Sequence, residues 1–467
     1  MNKKLSILIT IALLGGMNVS AQLSSNKDKF LGNIMTEHNV DYGKEKFYTL
    51  WNQITPEKEA KWDALEGSSR GYFIFSGSDR AYNYAKQHNF PFKYNCFICG
   101  RQYPNWLNSL STEEQYKAIE ELMNAVKKHY PDLPLIDVVN EALPGHNPAP
   151  YKDALGGDGK TGYDWIINAF EMAHERWPDA ILIYNDYDTF QGQRSEFIDL
   201  VRTLRDAGAP IDAYGCQSHD LTDMKESDFK AAMNEIQNAL KMPMYSTEYD
   251  IGTSDDDLQL QRYKEQIPYM WEADYVAGIT LWGYIYGKTW TTDGNSGIIK
   301  QDGKDRPAMT WLREYMASDA AKNAKSPFPG MVKEASVYVK PAAIAVTMGN
   351  AVSVTVRAHL RTKTIERVDL YVNDKFMTSM TEAPYTTEFT PENKGRNILK
   401  AIVYATDGTS YERLSGVTAY MPGVTGINEI NVNEANSNRA IYNISGQRVD
   451  KNYKGVTIIN GKKMIKK

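Results

Sequence analysis

Two short stretches of the chain each end in a glutamate placed where chemistry is done. Residues 134–143 (PLIDVVNEAL) read as a buried strand over 135–139 that runs straight into Asn140 and Glu141. Residues 242–251 (MPMYSTEYDI) have the same build and end in Glu248. Short apolar runs rich in Val and Ile are what parallel strands covered on both faces look like. In a barrel of such strands, catalytic groups sit at the C-terminal strand ends. Taken alone, Asn140-Glu141 also fits the start of a helix, with Asn140 as its cap. The second strand-end carboxylate is what favours the catalytic reading. Two glutamates facing each other across a barrel mouth are the equipment for glycoside hydrolysis, one as acid/base and the other as nucleophile or base.

The elements that must position them alternate regularly. Eight candidate strands fall at 30–35, 49–54, 92–99, 135–139, 181–185, 213–217, 243–247 and 277–282. Amphipathic helices separate them, at 113–129, 163–177, 194–207 and 228–240 among others. The first of these starts with Ser111 as N-cap and Glu114 three residues on, a capping box. Strict βα alternation with eight buried strands predicts a TIM (β/α)8 barrel over 26–318. Residues 319–331 (DAAKNAKSPFPGM) read as a linker. Short strands with turn residues between them then predict an all-β sandwich over 332–421. Examples are 352–356, 367–372 before Asn373-Asp374, and 399–404 before Asp407-Gly408. An Asn-rich spacer leads to a small β domain over 426–467.

At 467 residues the chain is too long for one core, in keeping with two or three domains. Its net charge is −5 with no basic block before the Lys-rich tail, so nucleic acid is not an expected partner. Thirty Tyr and nine Trp suit a carbohydrate surface, although packing accounts for most of them. Residues 1–21 have the form of a signal peptide: Lys3 and Lys4, an apolar run over 5–14, and Val19-Ser20-Ala21 as the cleavage site. The expected product is exported, secreted or at the cell surface, and starts at Gln22. The three cysteines, Cys96, Cys99 and Cys216, make no disulfide framework. Cys96-x-x-Cys99 lies in a strand, where positions i and i+3 face opposite sides. Buried free thiols are therefore expected rather than a redox or zinc pair.

With the glutamates placed, the barrel resembles glycoside hydrolase family 10, the endo-1,4-β-xylanases. The likeness rests on motifs at successive strand ends: 51–57 (WNQITPE) through Lys61-Trp62, 137–142 (DVVNEA), 185–187 (NDY), 217–219 (QSH), 247–251 (TEYDI) and 278–283 (GITLWG), with Trp290 beyond. It implies a retaining mechanism with Glu141 as acid/base and Glu248 as nucleophile, ~5–5.5 Å apart. It also implies that His219 and Asp250 orient Glu248. Asn140 would meet the sugar 2-OH, and Glu57, Lys61, Asn95, Gln102 and Gln217 would be sugar-binding polar positions. Trp282 and Trp290 would wall the reacting sugar. No metal or organic cofactor is expected, since both reacting groups are carboxylates.

Residues 368–373 and 383–385 resemble bacterial Ig-like modules, and the tail resembles C-terminal sorting domains read by type IX secretion systems. The expected partners are xylan or a related plant cell-wall polysaccharide and the export machinery.

The chain departs from the family pattern at three positions. Lys58 stands where the family has Asn, Asn95 where it has His, and Cys99 where it has Trp. All three fall on the non-reducing side of the cut. The lost indole removes ~150–250 Å² of contact surface, and Lys58 could pair with an acidic substituent such as a uronic acid. The departures leave room for a different β-linked or heavily decorated glycan. A catalytically weak glycan-binding surface protein is the alternative from another class. Retention of both glutamates with His219 and Asp250 argues against it.

Overall fold

The structure is a computed structural model that describes residues 22–421 and, beyond them, the backbone of four short strands. The expected signal peptide, residues 1–21, lies outside the described residues. By contacts the chain falls into two compact units, one running through most of residues 22–338 and the other from 339 onward, with small exchanges between them.

The first unit is the barrel. Its strands are β1 (Phe30–Ile34), β2 (Ile54–Thr55), β3 (Lys93–Cys99), β4 (Leu135–Asn140), β5 (Ile181–Asp186), β6 (Ala213–Cys216), β7 (Met244–Tyr249) and β8 (Val276–Leu281). They pair in the order β2-β1-β8-β7-β6-β5-β4-β3, all parallel. A parallel bridge between Ile54 and Phe92 brings the two edges together.

Seven strands lie where the apolar runs place them. The second does not: residues 47–50 form one helical turn and the strand is two residues long. Phe47 and Leu50, three apart, both bury on one face of that turn, a helical spacing that a run of apolar letters conceals. The expected helices are present at Thr112–His129, Asp164–Arg176, Arg194–Asp206 and Glu226–Leu240. Ser111 Oγ accepts from Glu114 N–H at 3.3 Å. The Glu114 carboxylate does not turn back to complete a capping box; it accepts from Arg70 and Lys117.

The barrel interior is layered. Phe30, Leu135, Ile181, Ile183, Ala213, Tyr245 and Ala277 fill the lower part, with Phe328 packed on them and stacked on Tyr245 at 6.3 Å. Such filling makes the barrel a packed core rather than a pore. Phe328 comes from the stretch whose composition reads as a linker. That stretch is built into the barrel unit. Asn26 Nδ2 donates to the carbonyls of Ala321 (3.1 Å) and Ala324 (3.0 Å), and Trp271 Nε1 donates to Ala321 at 2.9 Å. Its Ala, Lys and Pro content hid the three carbonyl contacts and the single aromatic that anchor it.

Nearer the C-terminal end the interior turns polar: Lys93, Asn95, Asp137, Asn185, Thr247 and Thr280 are all buried. Lys93 Nζ and Asp137 Oδ2 form an ion pair at 2.8 Å. This layer is the floor of the site.

The second unit holds a five-stranded and a three-stranded sheet, built from strands that include Val352–Leu360, Ile365–Val372, Gly395–Ala405 and Ser410–Tyr420. Val352, Val354, Val356, Val368, Leu370, Leu399, Ala401, Val403, Val417 and Ala419 alternate inward as an Ig-like sandwich requires. Asn373 and Asp374 take left-handed backbone (φ +50° and +62°) and turn the hairpin between the strands ending at Val372 and starting at Lys375. In the tail, Ile441–Asn443, Arg448–Val449, Gly455–Ile459 and Lys462–Lys466 form a four-stranded sheet. Among the described residues no helix is long and apolar enough to cross a membrane.

Candidate active site

The site is assembled where the strands end, and local irregularities aim its residues. In β4 one extra residue, Val138, opposes the step from Ile183 to Tyr184 in β5. That bulge shifts the alternation of β4 just before Asn140. Glu141 follows in left-handed backbone, φ +61°, a conformation costly for a residue with a side chain. Its backbone N–H donates to the Asn185 carbonyl at 2.9 Å. The loop beyond is pinned by Asp186: Leu143 N–H donates to Oδ2 at 3.1 Å, and His146 Nδ1 meets Oδ1 at 2.6 Å.

The two glutamates share one cleft of about 450 Å³, with Glu57, Lys58, Lys61, Arg101, Gln102, Asn140, Tyr187, Gln217, His219, Trp282 and Trp290 as its other walls. A chain of amides ties them together. Gln217 Nε2 donates to Glu141 Oε1 at 3.1 Å and stands 3.5 Å from Asn140 Oδ1. Asn185 Nδ2 donates to Asn140 Oδ1 and to Glu248 Oε1, both at 2.8 Å. Asn147 Nδ2 holds the other oxygen of Glu141, Oε2, at 2.8 Å.

Glu248, in β7, is 5% exposed. Burial pulls its carboxyl up, but the His219 hydrogen bond and the charges of His219, Lys93 and Lys61 outweigh burial and leave it below its ordinary value. His219 Nε2 lies 3.3 Å from Glu248 Oε2, and Nδ1 lies 3.1 Å from Asp250 Oδ2. Burial opposes the His219 charge, yet the Asp250 carboxylate, its hydrogen bond and the bond to Glu248 carry the imidazole up to about 10. His219 is therefore an imidazolium at neutral pH, with both ring nitrogens donating to carboxylates. Asp250 Oδ2 also accepts from Trp290 Nε1 at 2.6 Å. That bond fixes the indole, which is 58% exposed at the cleft edge, while Trp282 is nearly buried in the wall. Burial raises the Glu57 carboxyl.

Of the site residues read from the sequence, ten line the cleft. Asp250 stands behind the wall, holding His219 and Trp290. Asn95 does not reach the cleft: it is fully buried, accepts from Lys61 Nζ, and donates to Asp137 Oδ2 at 2.7 Å. It positions Lys61 instead of meeting a sugar.

The structure adds residues beyond those singled out as candidates. Asn185 bridges Asn140 and Glu248, Asn147 grips Glu141, and Tyr187, stacked on His146 at 3.5 Å, and Arg101 form walls. Asn185 ends a strand as Asn140 does, which is a readable cue; nothing in the sequence points to Asn147.

The cysteines are free and buried, but the expected opposite facing of Cys96 and Cys99 is wrong. A bulge in β3 between Asn95 and Ile98 breaks the alternation, and the two thiols are close enough for each to shift the other's titration, Cys96 upward and Cys99 downward. Among the described residues no group of three or more His, Cys, Asp or Glu is arranged to hold a metal.

A parallel eight-stranded barrel with a carboxylate pair in a sugar-sized cleft at its C-terminal mouth defines a glycoside hydrolase. The family is a specific one. Residues 21–315 match the profile of glycosyl hydrolase family 10, and the chain belongs to that family. Residues 338–410 match the bacterial Ig domain.

Among similar proteins, endo-1,4-beta-xylanase B of Cellvibrio japonicus is 43% identical over 284 residues, which is 61% of this chain and 45% of that protein. The chain thus spans less than half the length of that relative. A beta-1,4-xylanase of Dictyoglomus thermophilum is 26% identical over 325 residues, 62% of this chain and 90% of that protein. A psychrophilic family 10 endo-beta-1,4-xylanase of known structure superposes with a TM-score of 0.53 at 22% identity, over 62% of this chain and 97% of the other. That likeness speaks to the fold.

Proposed function

We propose that this protein is a retaining endo-1,4-β-xylanase that cuts internal bonds of xylan by double displacement. The observation that carries the reading is the contrast between the two glutamates in one cleft. Glu248 is buried and kept ionised by His219, Lys93 and Lys61, as a nucleophile at neutral pH must be. Glu141 faces the same cleft from the opposite strand end and is held only by the amides of Gln217 and Asn147.

In this reading Glu248 attacks the anomeric carbon while Glu141 gives its proton to the departing oxygen. Glu141 then takes a proton from the water that releases the glycosyl group. Asn140, fixed by Asn185, is placed to meet the sugar 2-OH, a contact that strengthens in the transition state. The xylanase relatives support the substrate class.

The test is product analysis on arabinoxylan and glucuronoxylan with residues 22–467 beside Glu248→Ala. Short xylo-oligosaccharides from the parent and none from the variant are the expected result. No product from the parent on either polymer would overturn the substrate assignment. The same proposal includes export through residues 1–21 and sorting through the tail. Intact cells that retain the full-length chain, with Met1 still in place, would refute the export part.

A further inference from the structure

We propose that Lys58 and Arg101 form a site for the carboxylate of a uronic acid branch on the polysaccharide, an inference that rests on the xylanase reading. The cleft wall supplied by the loops after β2 and β3 carries three cations, Lys58, Lys61 and Arg101, and one carboxylate, Glu57. Lys61 is buried and occupied with Asn95. The other two cations are available. Lys58 Nζ stands 3.8 Å from Glu57 Oε1 with its side chain 65% exposed, too far for a hydrogen bond. Arg101 is exposed and makes no ion pair among the described residues.

A neutral sugar chain needs hydroxyl partners and has no use for two open cations on one side of a cleft. A carboxylate does: a guanidinium meets it with two parallel hydrogen bonds, and an ammonium adds a point charge.

Arg101 is rooted on rigid backbone. The Tyr151 hydroxyl donates to the Cys99 carbonyl at 3.0 Å, and Gly100 N–H donates to the Asn147 carbonyl at 3.0 Å. A Cβ on Gly100 would lie 2.2 Å from that carbonyl oxygen, so the strand end and the Glu141 loop are in direct contact there. The same Asn147 holds Glu141. A branch caught by Arg101 is thereby registered against the acid/base residue, which fixes where the cut falls relative to the branch.

The test uses glucuronoxylan and the same polymer with its carboxyls reduced to alcohols, which keeps the branch and removes its charge. The wild-type chain is expected to show kcat/KM about tenfold higher on the native polymer, equivalent to about 1.4 kcal/mol. Lys58→Ala and Arg101→Ala each lower that ratio, and the double variant brings it near one. Arg101→Lys keeps part of it, because charge remains while the planar fork is lost. Raising salt to about 0.5 M shrinks the ratio in the wild type and leaves that of the double variant unchanged, since the groups are solvent-exposed. Equal rates of the wild-type protein on both polymers would overturn the acid site and leave the xylanase reading standing. No product from either polymer would remove the xylanase reading and this one with it.

Discussion

Replacing His219 with Ala removes the imidazolium that lies 3.3 Å from the nucleophilic oxygen of Glu248. Without it, burial is opposed by the charges of Lys93 and Lys61 and by the Asn185 amide, and Asp250 becomes a nearby negative charge held by Trp290. Both changes disfavour an ionised Glu248, so its pKa must rise. A hydrogen bond to a charged group is worth about 1.5–3 kcal/mol. The 3.3 Å separation is long, which argues for the lower part of that range. With about 1.4 kcal/mol per pKa unit, the shift is about one unit upward.

The assay is kcat/KM against pH on an aryl xylobioside. Its good leaving group needs little acid assistance, so the acid limb reports the ionisation of the nucleophile in the free enzyme. The limb of His219→Ala should lie about one unit above that of the wild type. A variant that loses activity while its acid limb stays within about 0.3 units would refute the argument, because His219 would then act through shape and not charge.

Glu248→Ala should abolish turnover of xylan and of the aryl glycoside alike. Glu141→Ala should lose about 10²–10⁴-fold on xylan yet keep a rapid burst of aryl release, read by stopped-flow absorbance. Lys93→Met leaves Asp137 as an unpaired charge in the barrel interior and should cost about 3–5 kcal/mol in urea unfolding; a loss under 1 kcal/mol would count against the pair as a structural strut. His219 is carried from its ordinary 6.5 to about 10 on folding. Its stabilising contribution is complete below pH 6.5 and is lost as pH rises towards 10. The Tm difference between wild type and His219→Gln should narrow across that window, and a constant difference would contradict it.

What was legible in the sequence follows from how local each signal is. Seven barrel strands, both glutamates and the His219–Asp250 pair were readable, because each lies in or just after an apolar run whose end marks the barrel mouth. The second strand was not, since Phe47 and Leu50 bury through helical spacing that looks like strand content when only apolar letters are counted. Phe328 was hidden because one aromatic in a Pro- and Lys-rich stretch carries no period. Asn147 was hidden because its role depends on a loop path: the chain must turn back, after the bend set by Asp186, before its amide can reach Glu141 six residues earlier.

The misplaced cysteines have a cause that also shapes the site. The alternation rule assigns Cys96 and Cys99 to opposite faces. It holds only while each residue of a strand opposes one residue of its neighbour. β3 and β4 both break that count at the same height in the barrel. In β3 the break brings two thiols close. In β4 it occurs at Val138, two residues before Asn140, and is followed by the left-handed turn at Glu141. A regular β4 would carry the next side chains along its own alternation. The bulge and the turn instead deliver Asn140 and Glu141, adjacent in sequence, to the same cleft. Two neighbours of a regular strand cannot share a face, so the chemistry of the Asn-Glu pair depends on the irregularity that defeated the pattern.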